Sequence, residues 1–121
     1  MLDIPSLLSP YDSCDLECDG MTRVLHVVLT REKVPHTCHV GSVVAGNQEI
    51  PFHLWIVLDD GRTVDYRLRM WLKGDRIPHG VFLQEDYPEI RYEGREHDLG
   101  ELPPIVFELL TLGMASMTLP T

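Results

Sequence analysis

The sequence predicts an α+β fold in which one long helix packs on an antiparallel sheet of about four strands and a second helix adds a further cover. Three observations predict it: a helical stripe between Asp15 and Lys33, three strand-forming segments in succession after it, and a late apolar run opened by proline and closed by glycine. With 121 residues, 44% of them hydrophobic, the chain can build one core and is read as a single domain over 1–121.

The first dozen residues hold two prolines and the apolar patch Leu2, Ile4, Leu7 and Leu8, suited to a single turn or a brace. From Asp15 the spacing becomes helical. Cys18, Met21, Leu25, Val28 and Leu29 recur at three and four residues with Val24 beside them, while Thr22, Arg23, His26, Thr30 and Arg31 fall on the opposite face. Asp15 or Ser13 is the expected cap, and Pro35 ends the helix by pushing the residue before it out of the helical region.

Strands are expected over Thr37 to Val44, Ile50 to Leu58 and Thr63 to Met70, separated by Gly46-Asn47 and by Asp59-Asp60-Gly61, which together make a meander. Phe52, Leu54, Ile56 and Leu58 should share one buried face with Val64, Tyr66, Leu68 and Met70. Val81 to Leu83 reads as a short strand, and Tyr87 to Gly100 as polar and irregular. Pro103-Pro104 then opens a helix through Ile105, Val106, Leu109, Leu110 and Leu112, closed by Gly113, which should dock on the sheet.

The totals exclude several classes of function. A net charge of -9 opposes nucleic acid and anionic membrane surfaces as partners. No apolar run approaches the length of about eighteen residues that a membrane span needs, and the N-terminus has no signal-peptide pattern, so a cytoplasmic protein is expected. Three cysteines, Cys14, Cys18 and Cys38, are too few and too odd in number for a disulfide framework, which leaves thiol chemistry open.

Cys18 falls in the first helical turn, where exposed backbone N–H groups favour a thiolate, although Glu17 and Asp19 on either side oppose it. The segment from Phe52 to Tyr66 reads as a hairpin whose register decides the chemistry. A three-residue loop ending in a left-handed Gly61 puts Leu58 opposite Arg62, Trp55 opposite Asp65 and His53 opposite Arg67, so that His53 and Asp65 share a face diagonally. A two-residue loop would instead set Asp65 opposite Ile56 on the other face. In the first register a carboxylate can orient an imidazole, the pairing that activates a thiol.

The run from Cys18 through Arg31 and Val34-Pro35 to Gly41, followed by Phe-His-Leu-Trp-Ile-Val-Leu from Phe52 and by Arg62-Thr63-Val64-Asp65, resembles the core of the transglutaminase-like, papain-like cysteine hydrolases. The compact bacterial leader-peptide peptidases of lasso-peptide pathways share this plan. The resemblance covers residues 18–72 and implies a papain-like fold, a catalytic triad of Cys18, His53 and Asp65, and peptidase or amidase activity without a cofactor. Two departures stand out: no glutamine precedes Cys18 to serve as an oxyanion donor, and Lys33 occupies a position where the family commonly has glycine. Seventeen residues precede Cys18, too few for the helical subdomain that often builds one cleft wall, so the expectation is either a minimal version or one whose cleft a protein partner or a second copy completes.

Trp55 and Arg67 are the expected substrate-binding residues, Arg67 because it shares the His53 face and a guanidinium matches a carboxylate at two points. Cys14 is read as a bystander. His36 and Cys38 share one strand face while His39 takes the other, a spacing unlike a structural zinc site, so no metal is expected; His36, Cys38 and His53 are the ligands to be considered. The competing function is a catalytically inactive module of the same fold that binds a protein or peptide.

Overall fold

The computed structural model describes residues 3–112 and has the α+β architecture: three α-helices and one five-stranded antiparallel sheet among those residues. Helix α1 (Ile4–Leu8) runs into a 3-10 turn (Ser9–Ser13), and helix α2 (Cys18–Arg31) follows. Strands β1 (His36–Ala45), β2 (Gln48–Leu58), β3 (Thr63–Asp65), β4 (Gly80–Phe82) and β5 (Ile90–Glu96) come next, and helix α3 (Pro104–Leu110) is the last element among the described residues. The spatial order is β4-β3-β2-β1-β5.

Helix α2 buries Met21, Val24, Leu25, Val28 and Leu29 as its spacing predicts, but Thr22 belongs to the buried face as well. Its hydroxyl donates to the Leu54 carbonyl at 3.3 Å, so the polar group carries its own partner inward. The N-cap is Glu17, with no side-chain cap bond, and neither Asp15 nor Ser13 serves. At the other end Lys33 adopts φ 58°, with its N–H bonded to Thr30 and that of Val34 bonded to Leu29. This double bond is a Schellman closure, whose left-handed position ordinarily selects glycine. The departure at Lys33 thus falls where the backbone itself asks for glycine.

The β2–β3 hairpin has the three-residue loop. Ile56 pairs with Val64 and Val57 with Thr63, Leu58 and Arg62 close the loop at 2.8 Å, and Gly61 supplies φ 93°. Beyond Asp65 the expected strand stops. Tyr66 and Arg67 turn the chain into a 3-10 segment, Leu68–Met70, so the anticipated single apolar face divides. Ile56, Leu58, Val64 and Tyr66 join the core under α2, Leu68 joins a second core with Trp55 on the other side of the sheet, and Phe52 and Met70 are exposed.

The stretch read as irregular contains β5, which pairs with β1 from Ala45–Ile90 to His39–Glu96. Gly41 faces Gly94 across this pair, and a Cβ on either would overlap the opposite backbone, on Gly94 the Trp55 ring as well. Helix α3 docks on α2 rather than on the sheet: Phe107 is buried in the α2 core, against Tyr11 and under the Arg31 guanidinium. Gly113, its expected terminator, lies outside the described residues. No helix among them is long and apolar enough to cross a membrane.

Candidate functional site

Strand β2 delivers His53 to the middle of the molecule, where its side chain is fully buried. Alternation and the hairpin register set Asp65 diagonally across from it, and the bond forms: Nε2 lies 2.7 Å from an Asp65 carboxylate oxygen. Asp65 is itself held twice more, by the Tyr92 hydroxyl at 2.8 Å and by the Arg67 backbone N–H at 3.0 Å. An acceptor bound from three directions cannot rotate away from the ring it orients.

Cys18 comes from the first residue of α2. On its β3 side, β2 is paired only at Ile56 and Val57, which leaves the backbone around His53 without a strand neighbour there. Cys18 approaches His53 closely enough for its sulfur to act on the ring charge, while the buried Nδ1 has no formed hydrogen bond. Burial opposes the imidazolium, but the hydrogen bond and charge of Asp65, with the nearby Cys18 adding to them, outweigh it and raise the His53 pKa to about 9. The ring is therefore cationic at neutral pH, with Nε2 directed to the carboxylate and Nδ1 left to the cysteine. A thiolate beside an imidazolium is a competent nucleophile with its proton donor in place.

Two expected site residues play other roles. Trp55 is 3% exposed, stacked with His39 and edge-on to Tyr92, so it walls the site from behind and offers no surface to a ligand. Arg67 is 8% exposed, and all its guanidinium hydrogens are committed: to the Leu16 carbonyl, to the Asp12 carboxylate at 2.6 Å, and to the carbonyls of Tyr66, Asp12 and Cys14 at 2.7, 3.1 and 2.8 Å. The guanidinium ties down the chain leading to Cys18 and has nothing left for a substrate carboxylate. Burial works against the Asp12 charge, but hydrogen bonds from Arg67 and His79 hold its pKa below the usual carboxylate value.

The surface beside Cys18 is an open groove of about 810 Å³, lined by Asp15 to Gly20 from the start of α2, by Ile50, Pro51 and Phe52 from β2, and by Met70 and Trp71. Phe52 is 66% exposed and Trp71 52%, so both are free to meet a ligand. Asp15, Glu17 and Asp19 make one rim acidic; Asp19 is paired with Arg23 at 2.8 Å, which softens its effect on the thiol. In the sequence reading Tyr92 and Trp71 have no part in the site and Phe52 belongs to a buried face, whereas it is exposed on the groove. The alternation Ile90-Arg91-Tyr92-Glu93 carries the strand signal that marks Tyr92, whereas nothing in the sequence brings Trp71 to Cys18.

The other thiols are less suited to nucleophilic work. Cys14 is 2% exposed, and burial, then the Asp98 charge, push the Cys38 thiol up to about 11. His53 lies apart from the sequence-derived metal grouping: Cys38 pairs with Ile56 and His53 with Gly41 on the β1–β2 ladder. Comparison of the chain with protein-family models, curated proteins and solved structures finds no match.

Proposed function

We propose that the protein is a cysteine hydrolase of papain-like, transglutaminase-like type that cleaves amide or peptide bonds by acyl transfer to Cys18. The supporting observation is the buried His53–Asp65 bond of 2.7 Å beside a cysteine at a helix start and an open groove.

In this reading the Cys18 thiolate attacks the substrate carbonyl, and the backbone N–H of Cys18, at a helix position that has no intrahelical acceptor, faces the developing oxyanion. The His53 Nδ1 proton passes to the leaving amine as the C–N bond breaks, which yields a thioester and a neutral imidazole. Water then attacks the thioester with His53 as base, releasing the acid and restoring the ion pair. Asp65 holds the ring and balances its charge throughout, and Tyr92 holds Asp65. The exposed Phe52, Met70 and Trp71 together with the acidic rim favour a peptide bearing apolar and basic side chains.

The acidic rim also favours the second reading, a non-catalytic module that binds such a peptide. Selective labelling of Cys18 would not separate the two, because Cys14 and Cys38 are buried in either case. The dependence of labelling on His53 does. An iodoacetamide-type probe should alkylate Cys18 at neutral pH at least about tenfold faster in the parent than in His53→Ala. Equal rates for the two proteins would leave only the binding module.

A further inference from the structure

A second cluster of chemistry-bearing side chains joins the middle of α2 to the start of β1, on side chains that the proposed acyl transfer does not use. His26 Nδ1 lies 2.7 Å from His36 Nε2, and the Cys38 sulfur completes a group whose ligand atoms all lie within 4.8 Å of one another. The outer nitrogen of His36, Nδ1, donates to the Val34 carbonyl at 2.7 Å, which fixes its tautomer and leaves Nε2 with a lone pair toward His26. The Gly100 backbone also acts on the His26 ring.

With the outer nitrogen of His36 directed to a carbonyl, its inner Nε2 is an acceptor that meets His26 Nδ1. Such a pair needs a shared proton or a cation between its members. Two imidazoles and a thiol select the cation: Zn²⁺ takes nitrogen and sulfur, whereas Mg²⁺ and Ca²⁺ require oxygen. Zinc–nitrogen and zinc–sulfur bonds of about 2.0 and 2.3 Å imply ligand–ligand edges of roughly 3.3–3.7 Å in a tetrahedron, so the nitrogens must part by about 0.6 Å and the sulfur close by no more than about 1.3 Å.

We propose that His26, His36 and Cys38 form a zinc-binding site that clips α2 to β1. Coordination displaces the proton between the imidazoles, which the neutral His26 ring carries instead on Nε2, and the thiol proton, which passes to solvent. The fourth position falls to water or to Asp98, whose charge acts on both His26 and Cys38. Its loop is pinned over the cluster by the bond from the His97 N–H to the Cys38 carbonyl at 2.8 Å. An open groove of about 310 Å³, lined by His26, Thr30, Gly100 and Leu102, gives the ion a way in.

The test uses the full chain with Zn²⁺ and Co²⁺ alone as probes. One equivalent of Zn²⁺ should be taken from a chromophoric chelator and should raise the melting temperature, and Co²⁺ should give a thiolate-to-metal charge-transfer band. His26→Gln and Cys38→Ser should each weaken binding by more than about a hundredfold, beyond the range seen for removing an outer partner. Cys18→Ala, which removes the proposed nucleophile, should bind as the parent does. Should Cys38→Ser lose its folded circular-dichroism spectrum, the half-buried His26→Gln decides. Zinc retained by His26→Gln but lost from Cys18→Ala would move the metal to the other thiol, and the absence of any cobalt–thiolate band would overturn the site altogether.

Discussion

His53 is fully buried with its pKa raised, and its two nitrogens differ: Nε2 meets Asp65, whereas Nδ1 has no formed hydrogen bond. The sign of the pH dependence follows. A histidine whose pKa rises from 6.5 to about 9 on folding contributes stability that is full below about 6.5 and is lost as pH climbs through 9, on the order of 3 kcal/mol. Urea denaturation of the parent should therefore show a falling midpoint between pH 6 and 10. Asp65→Asn removes the charge that outweighs burial, so the imidazole titration followed by NMR should move down by more than about one unit and the stability profile should flatten over that window. An unmoved midpoint would mean that Asp65 does not set the ring's charge. Tyr92→Phe should have a smaller effect in the same direction on stability, a loss of about 1.5–3 kcal/mol for one hydrogen bond to a buried carboxylate. His53 and Asp65 could be paired from sequence because loop length and side-chain alternation together fix a hairpin diagonal. The role of Arg67 could not, since all its partners but the Tyr66 carbonyl lie more than fifty residues upstream and the chain turns out of β3 just before it.

At the scale of elements, α2 and the first two strands were legible because each carries a period: three and four for the helix, two for the strands. Strand β5 was hidden by its glycine and its charges, for only Ile90 and Tyr92 face inward while the rest of its length is exposed. The same glycine gives a prediction. Gly94→Ala would drive a methyl into the Val40 carbonyl and the Trp55 ring, so the β1–β5 pair must part; a loss of about 1–3 kcal/mol and a shifted tryptophan emission should follow. The end of α2 gives the opposite sign. Lys33→Gly relieves a left-handed backbone at a cost in unfolded-chain freedom, for a net gain of about 0.5–1 kcal/mol in thermal or urea unfolding. A destabilised variant would show that the lysine side chain contributes something beyond its φ. Position 33 is thus a case in which the expected residue type was right for the backbone and the chain tolerates another.

Across the whole molecule, two cores lie on opposite sides of the sheet, and the site opens where β3 is too short to cover β2. The N-terminal segment closes one side of that opening through the Arg67 guanidinium and Asp12, which also holds His79 at 2.7 Å. Arg67→Ala should cost about 3–5 kcal/mol, because Asp12 and several carbonyls lose a buried partner at once. Arg67→Lys should recover little, since an ammonium cannot span the same set. Limited proteolysis should cut both variants ahead of Cys18 while α2 and the sheet resist, and a protected segment would assign the restraint elsewhere.

The acceptors that Arg67 engages on Asp12, Cys14 and Leu16 are between 51 and 55 positions away along the chain. Helix α2 can form from its own residues, but the approach to its first residue is set only after the hairpin and the turn beyond it have closed. If Cys18 is the nucleophile proposed above, a nascent chain would carry its helix before it carried the complete site, and reactivity would be the last property the molecule acquires.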